Sequence, residues 1–141
     1  LNTDPFDFER FVSAQRLVYA SVVEELRRGR KTSHWIWFVF PQIAGLGQSA
    51  MSQRYAIGSL AEAQAYLEHP ILGDRLRESA ALLLETPGRT AEEILGSIDA
   101  RKVRSSMTLF YRAAPDEPVF AEVLRRFFDG VPDAATDDLL R

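Results

Sequence analysis

The sequence has 141 residues, 46% hydrophobic and 26% charged, which is the size and composition of one globular domain that buries a core. A formal net charge of −3 without a basic tail argues against nucleic-acid binding, which draws on an excess of basic side chains. The absence of cysteine excludes disulfides, thiolate catalysis and cysteine-ligated metals, and the longest unbroken apolar run, Trp35 to Phe40, is far too short to span a bilayer.

The start, "LNTDPFDFER", is acidic and lacks the basic and apolar regions of a signal peptide, so a cytoplasmic protein is expected, with some sequence expected to precede Leu1. Asp4 and Pro5 then predict a helix start, and Phe8, Val12, Tyr19, Val22 and Leu26 form one apolar stripe that runs to Gly29. Gln15 interrupts that stripe and, if buried, must find a partner. The basic run Arg27 to Lys31 suits a helix C-terminus, where cations complement the backbone dipole.

Capping boxes at Ser59 with Glu62 and at Thr90 with Glu93 predict two further helix starts. Leu72, Leu76, Ala80 and Leu83 make another stripe, ended by Pro87 and Gly88. The clearest stripe, Val119 to Phe128, is expected to open at Asp116 and to close at Gly130, and the acidic residues Asp133, Asp137 and Asp138 fit the first turn of a last helix. His69 stands before Pro70, which reads as a structural turn at a helix junction.

Two segments resist a helical reading. Trp35 to Phe40 are strong strand formers, and Val103, Ser105, Met107, Leu109 and Tyr111 alternate with a period of two. An isolated two-stranded ribbon is marginal, and all other segments favour helix. The expected fold is therefore a single all-α multi-helix domain over residues 1–141, with a mainly helical fold carrying a small ribbon as the alternative.

Three long strings, "GRKTSHWIWFVFPQIAGLGQS", "AEAQAYLEHPILGDRL" and "KVRSSMTLF", closely resemble the signature stretches of domain-of-unknown-function family 1810, over nearly the whole chain from about Phe11. The resemblance implies a compact all-helical domain of the kind found in bacteria and fungi, sometimes labelled calpastatin. It brings no catalytic residues with it, so function has to be argued from chemistry.

"GLGQSA", Gly45 to Ala50, has the bare G-x-G-x-x-A pattern of a dinucleotide turn, but Pro41 interrupts the supposed strand and capped helices follow instead of alternating strands. No cofactor is implied. Gly45 and Gly47 permit positive φ, and Ser49 is placed to cap a helix at Ala50, so converging amides there would attract an anion, aided by Lys31 and Arg54. The simpler reading is a tight turn with a self-satisfied cap.

His34, Trp35, Trp37 and Gln42 suggest a pocket where a planar ring meets indole while His34 and Gln42 read its polar edge, with His34 as a candidate acid or base. Both tryptophans are expected to be largely buried core residues, because large aromatics dominate ordinary cores. On a helix, Asp99, Lys102, Ser105 and Ser106 come together in a way that suits a phosphate or sugar, or that lets helices pack closely. With two histidines and no H-E-x-x-H, no metal site is expected, and no G-x-S-x-G elbow appears. The function expected is a small-molecule site for an anionic, ring-bearing, nucleotide-like ligand where 34–49 meets 99–108, with enzymatic action left open. The alternative is a protein-interaction module without catalysis.

Overall fold

The computed structural model describes residues 3–141. Asp4 opens the chain by accepting hydrogen bonds from the amides of Phe8 and Glu9 at 2.8 and 3.0 Å, and α1 follows at Glu9–Arg16. The single first helix expected from the stripe is in fact two. The Val18 amide bonds back three residues to the Gln15 carbonyl, and α2 restarts at Tyr19–Arg27. The break lets the two halves face different partners: α1 packs on the one-turn α3, Ile36–Val39, and α2 packs on α6, Leu72–Leu84.

Local caps set most of the remaining starts. Ser49 accepts from the Ser52 amide at the head of α4, Ala50–Arg54, and Ser59 accepts from Glu62 at the head of α5, Leu60–Glu68. Only half of that second box closes, because the Glu62 carboxylate takes the Gly58 amide instead. Thr90 and Glu93 form the complete reciprocal box of α7, Ala91–Leu95. His69 acts as a cap too, its Nδ1 accepting from the amides of Ile71 and Leu72. The clearest stripe becomes α9, Pro118–Phe128, whose first residue is proline. Glu117 rather than Asp116 holds the cap position, and the helix ends at Asp129 and Gly130, both with positive φ. Asp133 caps α10, Ala134–Leu140.

The described residues thus form ten helices, and the ribbon alternative is corrected. Residues 103–111 lie inside α8, Ser97–Ala113, which contacts α3, α5, α7, α9 and α10. Every residue from Ser105 to Phe110 is buried, so this stretch of the helix has no solvent face to give it a 3.6-residue pattern. Burial likewise overrides strand propensity in α3, where Ile36, Phe38 and Val39 enter the core. The one β pairing among the described residues is an isolated parallel bridge between Ile43 and Ile57.

One contiguous core joins these helices, with Trp35, Phe11, Tyr66, Phe110 and Phe120 fully enclosed. Gln15, 1% exposed, finds the partners its burial requires: its Nε2 donates to the Phe38 carbonyl at 2.7 Å and Arg75 donates to its Oε1 at 3.3 Å. No helix of the described residues is long and apolar enough to cross a membrane.

Candidate functional site

The 42–47 loop, the first half of α8 and the start of α10 enclose a cleft of about 290 Å³. Its polar lining includes Gln42, Arg101, Lys102 and Asp133, and its apolar walls include Trp37 and Tyr55. The isolated bridge positions the loop. The Ile57 amide donates to the Gln42 carbonyl and the Ala44 amide to the Ile57 carbonyl, both at 2.8 Å. Gly45 then turns the chain at φ 102, a conformation that favours glycine.

Beside the cleft runs a ladder of charge and indole. Lys31 and Lys102, the two lysines of the sequence, share the Asp99 carboxylate at 2.8 and 3.3 Å. Each also meets one of the two tryptophans: the Lys102 ammonium lies 4.0 Å from the Trp37 ring centroid, and that of Lys31 lies 5.0 Å from Trp35. Asp99 and Lys102 sit one helical turn apart on α8, which is why the sequence spacing could bring them together.

Glu25, 4% exposed, underlies this ladder. It accepts from the amides of Thr32 and Ser33, from the Ser33 hydroxyl and from the Trp35 indole. Burial pushes its carboxyl upward, but the Ser33 hydroxyl, the two amides and the indole together outweigh that and bring it down to about 2. Glu25 therefore holds the 31–35 segment as a buried, fully bonded anion.

The structure divides the residues singled out from sequence. Trp37, Gln42, Gly45, Gly47, Lys102 and Ser105 line the cleft. His34 does not. It is exposed, in a separate shallow depression with Lys31, Ser33 and Asp99. Trp35 is 1% exposed with its indole nitrogen committed to Glu25, so it is a core residue, whereas Trp37 is only partly buried. The expectation that both tryptophans are largely buried is met by Trp35, while Trp37 is partly buried against the core.

Around the glycine loop, the simpler reading holds for Ser49. Its hydroxyl satisfies the Ser52 amide and it stands outside the cleft lining. Gly47 does not take a positive φ. The Arg54 guanidinium packs over Tyr55, 5.5 Å from the ring centroid. On α8, the Ser105 hydroxyl bonds back to the Arg101 carbonyl at 3.2 Å, and Ser106 is fully buried with no hydrogen-bond partner for its hydroxyl among the described residues. Asp99 and Lys102 meet as expected, and Ser106 does not join them.

Sequence reasoning missed Tyr55, Arg101, Asp133 and Glu25. Asp133 was legible only as a cap, and Tyr55 and Arg101 carry no local signal. Glu25 had one, because it stands directly before Leu26 on the inward stripe of its helix. Among the described residues, no three of His, Asp and Glu group closely enough to hold a metal ion.

An all-helical domain with a central helix enclosed along its second half, and a polar cleft beside its first half, is the class that fold and site define. Within that class the chain belongs to the family described as protein of unknown function (DUF1810), whose profile matches residues 5–140. It is similar to the crystal structure of the conserved hypothetical protein Rv1873 from Mycobacterium tuberculosis, with 54% identity, a TM-score of 0.96, and coverage of 97% of this chain and 98% of that one. No curated protein matches the chain.

Proposed function

We propose that the cleft beside α8 binds a small anionic, ring-bearing molecule of nucleotide-like shape. The observation that carries this reading is the pairing in one cleft wall of an exposed cation without a protein acid, Arg101, with the aromatic side chains of Trp37 and Tyr55. Gln42, also in the lining, has a side-chain amide without a hydrogen bond to the described residues, and its enclosed Nε2 reaches a ligand only if that amide turns. The side chain of Arg101, an exposed residue of the lining, makes no hydrogen bond or ion pair to the described residues, which leaves a cation for the anionic part. Trp37 and Tyr55 supply apolar and aromatic surface for the ring. With a net charge of −3 on the chain, the proposed partner is a small molecule rather than a polynucleotide.

Binding is tested by thermal shift and tryptophan fluorescence against nucleosides, nucleotides, sugar phosphates and simple anions. A ligand of the folded state raises the melting temperature, and in a Trp37→Phe variant the fluorescence response should vanish while Trp35 still reports folding. Gln42→Leu and Arg101→Ala should fold normally and lose the ligand shift. Equal responses in the native protein and both variants would remove the site from this cleft.

A further inference from the structure

We infer that the ligand of this cleft is a nucleoside carrying a single phosphate, an inference that rests on the binding reading above and narrows it. The ionisable groups of opposite sign in the lining are Arg101, Lys102 and Asp133, a formal charge of two cations less one anion, or +1. Of the two cations, Lys102 is partly spent. Asp99 holds it at 3.3 Å and the Trp37 face lies 4.0 Å away, while Asp99 also answers Lys31 at 2.8 Å. Arg101 is the cation with no protein acid, and its fork of donors matches a phosphate.

Asp133 sets the other limit. Its Oδ2 takes the Thr136 amide and hydroxyl at 3.0 and 2.6 Å, and Oδ1 receives no hydrogen bond from the described residues. A carboxylate oxygen in the lining accepts a sugar hydroxyl and repels further negative charge. A di- or triphosphate would bring more anionic groups than one free guanidinium answers and would set them against Asp133. Size points the same way, because about 290 Å³ stands at the lower edge of the range for small-molecule sites.

The test uses the full chain in calorimetric titrations with adenosine, guanosine, cytidine and uridine, each as the nucleoside and its 5′-mono-, di- and triphosphate, at constant ionic strength and without divalent cations. For the preferred base, the monophosphate should bind about tenfold more tightly than the nucleoside, the diphosphate and the triphosphate. Arg101→Ala should bring the monophosphate down to nucleoside affinity. Asp133→Asn, which keeps an N-cap residue on α10, should narrow the gap between mono- and triphosphate, a change that a purely structural role for Asp133 would not produce. Tighter binding of the di- or triphosphate, lost in Arg101→Ala, would overturn the single-phosphate inference while leaving the cleft as the binding site. Nucleoside binding equal to that of the monophosphate would do the same. Absence of binding across the series, or binding indifferent to Arg101→Ala, would overturn both readings.

Discussion

The Trp35 indole donates its N–H to the Glu25 carboxylate at 3.1 Å, ten residues back in the chain, and both side chains are almost fully enclosed. One buried anion thus anchors the segment that carries both tryptophans, Lys31 and His34.

Glu25→Ala should be among the most damaging single changes in the protein. It would leave the Trp35 indole N–H unmet in the interior and release two amides and a hydroxyl at its partly buried edge, at a cost of roughly 3 kcal/mol. Urea denaturation measures this, and an unchanged midpoint would show that the Glu25 network contributes nothing to stability.

The same carboxyl gives stability a pH signature. Its folded value, about 2, is depressed from the ordinary 4.5, so the folded state favours the ionised form. The contribution is complete above about pH 4.5, declines as pH falls and is gone below about pH 2, amounting to roughly 3 kcal/mol. Glu25→Gln should flatten the stability profile across that acid window; parallel profiles for native and variant proteins would contradict it.

The two tryptophans should separate on truncation. Trp35→Ala removes a fully enclosed indole and should cost about 3 to 5 kcal/mol. Trp37 is half-buried in the cleft wall, and Trp37→Ala should cost about 1 to 2 kcal/mol. Equal losses in guanidinium denaturation would argue that Trp37 is as much a core residue as Trp35.

Asp99 should matter through Lys31 more than through Lys102. The Lys31 side chain is 8% exposed and that of Lys102 is 20% exposed. Asp99→Ala leaves the Lys31 charge enclosed without its acid, at about 3 kcal/mol, whereas Lys102→Ala should cost within about 1 kcal/mol. A Lys31→Met, Asp99→Leu pair should recover most of the Asp99→Ala loss, and a double-mutant cycle reads the coupling directly.

Gly73→Ala tests the α5–α6 junction. A Cβ there would lie 2.1 Å from the Leu67 carbonyl oxygen, a backbone atom that cannot turn aside. Helix propensity alone would make this substitution favourable by about 1 kcal/mol, yet the clash should destabilise the protein by about 3 kcal/mol. The sign of the change in melting temperature decides between them.

The features legible in the sequence are those made within a few residues of chain. Ser49, Ser59 and Thr90 cap helices because a hydroxyl reaches an amide three positions on, and Asp99 meets Lys102 because one helical turn joins them. The dominance of helix and the need of Gln15 for a partner were readable for the same reason, since each follows from where a residue stands on a stripe. The tertiary structure alone decided the rest. It split the first helix so that its halves face α3 and α6, and it enclosed the second half of α8 so completely that its residues read as a strand. It sent Trp35 inward and left Trp37 beside solvent. It also drew Gln42, Tyr55, Arg101 and Asp133 from four separate segments into one cleft while leaving His34 outside. No spacing encodes such a meeting, because it depends on how helices far apart in sequence pack against one another, and that is set by the sum of many side-chain contacts rather than by any local pattern.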